Sequence, residues 1–290
     1  FLTRSPRSSV LKKRVLVLTG ATSGIGYQSA LLFARKGWSV YGCGRNREKL
    51  RELEKEGISV AAFDLSDTIA ARSFIKQVLG QEGRVDVLLN NAGFGLYGAV
   101  EDVSLEEARN QFDVNLFGAA EMIRAVLPSM RGQRAGRIIN VSSMAGIVSF
   151  PLGSWYHASK HAMEGFSDCL RQELSPLGIK VILVEPGAVG TRWPQRAMGE
   201  MGERLGERSY ALQYARINAL FRSFYKRGLT PVKAAQIILK AALSRYPRRR
   251  YVFPVHARLF IALRRWGGAL LWDFLVKSSL TRAGKGRAEE

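Results

Sequence analysis

Cysteine, histidine and acidic side chains are scarce in this sequence. The two cysteines, Cys43 and Cys169, lie far apart inside apolar segments, with no CxxC pair and no cluster with the three histidines. That excludes a disulfide scaffold, fits a reducing compartment and predicts no metal site. Internal repeats and low-complexity tracts are absent. Residues 1–14 carry Arg4, Arg7, Lys12, Lys13 and Arg14 without the apolar core of a signal peptide; the sequence begins at Phe1, so targeting is only partly readable. Against 44 basic residues there are only 24 acidic ones, a formal charge of +20. Such a balance suits phosphate-bearing partners, but no RNA- or DNA-binding motif accompanies it, and nucleic acid is not an expected partner.

What is present is enough apolar sequence for one large core. Hydrophobic residues make up 47% of 290, without a composition break that would divide the chain. Short β-rich runs alternate with helical patterns: RVLVLT at 14–19, then 38–43, 58–63, 85–90, 136–142, 180–185 and 250–255. Continuous apolar runs separated by helices predict a seven-stranded parallel sheet covered on both faces, a doubly wound α/β domain. Ser104 with Glu107 makes a capping-box pattern ahead of a helix over 105–130, and Thr230 with Pro231 marks another helix start.

The first strand runs into TGATSGIG at 19–26 and then a helical pattern. Gly20, Gly24 and Gly26, with Thr22, Ser23 and Ile25 between them, occupy the turn where a dinucleotide pyrophosphate meets a helix N-terminus. Lacking Cβ atoms, glycines let backbone N–H groups approach the phosphates, whose charge the helix dipole favours. The second strand ends in Gly42, Cys43, Gly44 and Arg45, with Arg47 close behind. An acidic residue there would bind a ribose 2′-OH; the Arg45 fork suits a 2′-phosphate, so NADP(H) is the expected cofactor. Tyr156 and Lys160 stand four residues apart on one face of a helix expected over 154–177. An ammonium near a phenol favours the phenolate and lowers its pKa toward the working range. Ser143, with Ser142 as the competing choice, follows the fifth strand at the carboxyl edge, where its hydroxyl can meet an oxygen that changes charge.

Taken in order, TGATSGIG, Asp64–Leu65, NNAG at 90–93, Asn115, Ser143, YHASK at 156–160 and EPGAVGT at 185–191 resemble the short-chain dehydrogenase/reductase family over roughly residues 14–255. The resemblance implies a Rossmann-type fold and hydride transfer between nicotinamide C4 and a carbonyl or alcohol carbon. It implies Tyr156 as acid/base, Ser143 orienting the reacting oxygen, and Lys160 holding the nicotinamide ribose while lowering the Tyr156 pKa. Asn115 would support a water extending the relay. Asp64 would meet the adenine beside Leu65; Asn91, Ala92 and Gly93 would line the ribose; Pro186, Gly187, Val189 and Thr191 would hold the nicotinamide end. The thirteen-residue gap from Ser143 to Tyr156 matches the family's spacing and favours Ser143. His157 and His161 are expected off the catalytic face, in packing or surface roles.

Residues 190–230 fall where the family places its substrate lid, and their aromatics, among them Trp193, Phe221 and Tyr225, suit a large apolar substrate or simply pack a lid helix. The wording of 100–119 and 156–174 is similar to hydroxysteroid- and retinol-dehydrogenase-like members and to acyl-dihydroxyacetone-phosphate reductases, implying a steroid, retinoid or acyl-lipid ketone; a ketoacyl-carrier-protein is the alternative substrate. A sensor or scaffold that binds NADP(H) without useful turnover is the rival to an enzyme. Residues 256–277 are densely apolar, yet Arg264, Arg265 and the Gly267–Gly268 pair argue against a membrane-spanning helix. Peripheral attachment to anionic lipid, closure of the substrate cleft and packing in a dimer all remain open; the resemblance implies a homo-oligomer. The expected layout is a basic arm at 1–13, the catalytic domain at 14–255, an apolar basic helical extension at 256–280 and a disordered tail at 281–290, in a cytoplasmic protein with or without membrane association.

Overall fold

The computed structural model describes residues 13–203, 210–226 and 228–285. Seven strands, β1 (Val15–Thr19), β2 (Ser39–Gly44), β3 (Ser59–Ala62), β4 (Val87–Asn90), β5 (Gly136–Val141), β6 (Ile179–Pro186) and β7 (Arg250–Phe253), form one sheet in the order β3-β2-β1-β4-β5-β6-β7. Every pairing is parallel. All five residues of β1 are buried, as a strand covered on both faces requires. Period-two alternation divides them: Leu16 and Leu18 join Phe33, Ile182 and Ile238 on one face, while Val15 and Val17 join Phe74, Met122 and Leu170 on the other.

Helices α1 (Gly24–Arg35) and α9 (Pro231–Leu243) cover the first face; α3 (Thr68–Glu82), α5 (Ala119–Gln133) and α6 (Ser154–Leu174) cover the second. Helix α2 (Arg47–Lys55) joins β2 to β3. Helix starts follow the chemistry expected of them. The Ser104 hydroxyl accepts from the Glu107 N–H, and the Glu107 carboxylate accepts from the Ser104 N–H, at the head of α4 (Leu105–Phe112). Thr230 accepts from the Lys233 N–H, with Pro231 opening α9. The helix expected over 105–130 is not one unbroken α-helix. Between α4 and α5 the chain widens to a π-helical turn at Asp113–Gly118, a distortion often found at functional sites.

Strand order reverses around β1, between β2 and β4, opening a crevice at the carboxyl edge of the sheet. Over that edge sit α7 (Trp193–Glu203) and α8 (Ala211–Lys226), which occupy the expected lid region. They join Tyr97, Phe150, Tyr156 and Trp272 in a third apolar cluster. Helix α10 (Val255–Lys285) is bent at Gly268, whose φ of 71° is left-handed and breaks the helical run. Residues 281–285, placed in a disordered tail by sequence, continue this helix; 286–290 and arm residues 1–12 lie outside the described residues.

Candidate active site

The turn after β1 is built from close backbone approaches. Gly20 and Gly24 have positive φ, 69° and 51°. At Gly26 a Cβ would lie 2.2 Å from the Gly20 carbonyl oxygen and 2.4 Å from Asn91 Nδ2, so only glycine lets α1 begin against the turn. The Ser23 side chain, at the head of α1, accepts no capping hydrogen bond, leaving first-turn N–H groups open to an anion. Asn91 Nδ2 donates to the carbonyls of Thr19 and Gly20, at 3.1 and 3.2 Å, and Thr19 Oγ1 accepts from the N–H groups of Asn91 and Ala92. These bonds fix the β4 end of the crevice against the glycine turn. The donor set and the space the missing Cβ atoms leave fit a dinucleotide pyrophosphate.

A single cleft of about 1370 Å³ runs from this turn to helices α7 and α8. It is lined by Gly20, Thr22, Ser23, Gly24, Ile25, Arg45, Asp64, Leu65, Asn91, Ala92 and Gly93, and further along by Ser143, Tyr156, Lys160, Pro186, Gly187, Val189 and Thr191. The structure thus brings together all but two of the residues singled out by sequence. Gly26 acts by packing beneath the turn. Asn115 stands behind the wall: its Oδ1 accepts from the Phe94 N–H at 3.0 Å, and its Nδ2 donates to the Phe94 carbonyl and to Ser159 Oγ. Its side chain clamps the β4 loop to α6.

At the adenosine end, Arg45 Nη1 lies 3.1 Å from Asp64 Oδ2, with both side chains partly open to solvent. Burial pushes the Asp64 carboxyl up, but hydrogen bonds from Ser66 and Arg45 outweigh it and hold it below the usual carboxylate range. Lys49 also reaches this end of the cleft.

At the other end, Tyr156 is 7% exposed. Burial pushes its phenol up to about 12, against a hydrogen bond from Ser143 that pulls it down. Ser143 also accepts from the Ala145 N–H at 3.1 Å and donates to the Pro186 carbonyl at 3.3 Å, so the hydroxyl is held between two elements. Ser142 also lines the cleft but is buried, its Oγ beside Gly146 and Glu164, whereas the Ser143 hydroxyl is the one that meets Tyr156. Lys160 Nζ donates to the Val141 carbonyl at 3.0 Å; burial lowers its pKa to about 8, against Glu164, which raises it. The Lys160 ammonium is thus held at the Val141 carbonyl, and burial is the larger influence on the neighbouring phenol.

Three features had no clear signal in the sequence. His157 is buried, and its Nδ1 faces the carbonyls of Ala145 and Val148 at 3.1 and 2.8 Å while Nε2 accepts from the Phe150 N–H. It pins the loop after Ser143 to α6. Tyr97 and Phe150, from two loops, join Trp193, Phe221 and Tyr225 in an aromatic wall; the Trp193 ring centre is 5.2 Å from that of Tyr156. Beneath the site, Arg250 of β7 meets Glu164 and Asp168 of α6 at 3.1 and 2.7 Å and Glu185 of β6 at 2.8 Å. Burial, then repulsion from Glu164, pushes the fully buried Glu185 up to about 7, against Arg250. Only the lid aromatics of this group carried a hint in their sequence position.

The family model for short chain dehydrogenases matches residues 14–200. The chain is 35% identical over 247 residues to a Helicobacter pylori protein described as a "probable short-chain type dehydrogenase/reductase VdlC", covering 85% of this chain and 90% of that one. It is also 35% identical over 258 residues to the 3-ketodihydrosphingosine reductase of Bacteroides thetaiotaomicron, with 88% and 94% covered. Among solved structures, a short-chain dehydrogenase from Streptomyces avermitilis superposes with a TM-score of 0.77 at 30% identity, covering 96% of this chain and 98% of that one. A metagenomic short-chain oxidoreductase in complex with NADP gives 0.66 at 29%, with 83% and 96% covered. A Burkholderia phymatum member in complex with NAD gives 0.75 at 26%, with 88% and 93% covered. A crevice at the switch point of a parallel sheet, with a glycine turn at one end and a buried tyrosine–serine–lysine group at the other, defines a nicotinamide-dependent oxidoreductase. The chain belongs to the short-chain dehydrogenase/reductase family and is an NAD(P)-dependent oxidoreductase.

Proposed function

We propose that this protein is an NADPH-dependent reductase of a lipophilic ketone or aldehyde, with Tyr156, Ser143 and Lys160 at the reacting end. The observation that carries this reading is that Tyr156, Ser143 and Lys160 line one end of the same cleft that the glycine turn lines at the other. The Tyr156 phenol, pushed up by burial, is protonated in the neutral range and can serve as the proton donor that carbonyl reduction demands. When bound, the reduced nicotinamide supplies the hydride; the chain's own groups position the carbonyl and manage the proton. Ser143 Oγ, held by the Ala145 N–H, turns its proton from the Pro186 carbonyl to the substrate carbonyl oxygen as negative charge grows on it. Tyr156 Oη gives that oxygen its proton. Lys160 supports the ribose of the cofactor from beneath.

The phosphate preference rests on Arg45. No carboxylate ends β2, and the partly exposed guanidinium with Lys49 nearby favours a 2′-phosphate over a bare hydroxyl. The substrate class rests on the wall of Tyr97, Phe150, Trp193, Phe221 and Tyr225, which offers apolar area and few polar groups. The 3-ketodihydrosphingosine reductase among the relatives supports the same class. Steroid and acyl-lipid ketones and the aldehyde retinal are the lipophilic carbonyls this reading covers.

The test is NADPH and NADH consumption against 3-ketodihydrosphingosine, ketosteroids, retinal, acyl-dihydroxyacetone phosphate and small water-soluble ketones. The expected result is oxidation of NADPH in preference to NADH, fastest with one of the lipophilic carbonyls. Preference for small polar ketones would overturn the substrate class, and equal, negligible rates on every carbonyl would favour a binding role.

A further inference from the structure

Helix α10 carries a stripe of large apolar side chains with no cover. At about 100° per residue, Val255, Leu259 and Trp266 fall within a sector of about 40° on its first half. Their exposures are 76%, 55% and 91%. The opposite side of this half, Ala257 and Ile261, is buried against the domain, so the stripe is a second apolar face and not part of the core. Beyond the bend at Gly268 the pattern resumes: Leu270 and Phe274 are 87% and 65% exposed, while Trp272 on the other side is 4% exposed and donates through Nε1 to the Ser149 carbonyl. A soluble surface scatters its exposed apolar residues; a tryptophan, a phenylalanine and three aliphatic side chains along one helix are a docking face.

Charge identifies the occupant. Arg258 and Arg265 flank the first stripe on one side, and Lys277 lies on the same face as Leu270 and Phe274. Asp273 is the single acidic residue in α10, on a chain that carries a formal charge of +20. Pairing with a second copy would bring two strongly basic surfaces together, whereas an anionic lipid headgroup layer attracts them. Long basic side chains beside an apolar stripe can reach headgroups while the stripe enters the acyl boundary. Among the described residues no helix is long and apolar enough to cross a membrane, which leaves lying on the surface as the mode of contact.

We infer that the bent helix Val255–Lys285 is a peripheral membrane anchor, inserting Leu259, Trp266, Leu270 and Phe274 into the interface of an anionic bilayer. The helix also contacts the cleft wall, since Phe260 packs on Phe224 and Trp272 packs on Phe150. Docking would therefore bring the lid side of the cleft close to the lipid surface.

The full-length protein should be sedimented with phosphatidylcholine vesicles, with and without phosphatidylserine, at low and high salt, alongside the Trp266→Glu/Leu270→Glu double variant. All substituted positions are exposed and lie outside the catalytic cleft, so NADPH turnover on a small water-soluble ketone reports intact folding. The inference predicts binding to the phosphatidylserine vesicles that weakens with salt, and a loss of about tenfold or more in the double variant at unchanged turnover. Failure of the native protein to sediment with phosphatidylserine vesicles, or equal sedimentation of the double variant, would overturn it. So would a dimer in solution that the double variant converts to monomer, because a second copy would then be the cover.

Discussion

His157 makes the stability of this protein sensitive to mild acid. The ring is neutral in the fold, since Nε2 accepts from the Phe150 N–H while Nδ1 donates toward the carbonyls of Val148 and Ala145. Protonating Nε2 would break the first bond and bury a charge. Burial is the larger cause, and together with the neighbouring His161 it overcomes the two carbonyls to lower the pKa from 6.5 to about 4. A group whose folded pKa is depressed stabilises the fold above its unfolded value, and that stability is lost as pH falls toward the folded one. The unfolded chain binds the proton first, so between pH 7 and pH 5 the loss is about 2 kcal/mol, reaching about 3 kcal/mol below pH 4. Glu185 works in the opposite direction, since its raised pKa contributes stability at low pH that is lost as pH rises through about 7. Comparing urea unfolding of the native protein and of His157→Gln at pH 7 and pH 5 cancels the Glu185 contribution. The native protein should lose about 2 kcal/mol more than the variant over this interval. Parallel losses in the two proteins would refute the assignment of a buried neutral imidazole.

Other consequences follow from the same geometry. In Gly26→Ala the new methyl meets the Gly20 carbonyl oxygen at 2.2 Å, so NADPH affinity, read by fluorescence titration, should drop about tenfold or more. Arg45→Ala should raise the Kd for NADPH about tenfold while leaving NADH nearly unchanged; equal effects on both would remove Arg45 from phosphate recognition. Arg250→Met strips the counter-charge from Glu185 and Glu164 and should cost about 3–5 kcal/mol in urea unfolding at neutral pH or above, less in acid, where those carboxyls are protonated. Because Lys160 loses its proton near pH 8 and Tyr156 only near 12, carbonyl reduction should first decline around pH 8. Lys160→Arg should move that limb upward, and a limb that stays in place belongs to another group.

The sheet was legible because strands covered on both faces must be apolar throughout. Residues 14–19 and 85–90 could be read that way before any contact was known. Glycine spacing was legible for a related reason: the close approaches at Gly20 and Gly26 leave no room for a side chain, so chemistry constrains the residue type itself. Contacts between distant loops leave no such mark. Nothing in the spacing of Tyr97, Phe150 and Trp193 announces that they share one apolar cluster with Tyr156. The π-helical turn at Asp113–Gly118 has an ordinary helical sequence. Helical spacing shows that Lys160 shares a face with Tyr156. It does not show that its ammonium is bonded to Val141 while the phenol is buried. The helix position of His157, next to Tyr156 in sequence, points only to a packing or surface role, and the fold shows which loop it pins.

The central claim is that a protonated Tyr156 donates to a lipophilic carbonyl held against NADPH. The most direct measurement is single-turnover NADPH oxidation by the native protein and Tyr156→Phe, with the fastest carbonyl found at neutral pH and NADPH affinity measured in parallel. The account predicts a fall of about a hundredfold to ten-thousandfold in the rate with NADPH affinity retained. Turnover surviving in Tyr156→Phe at the native rate would contradict it.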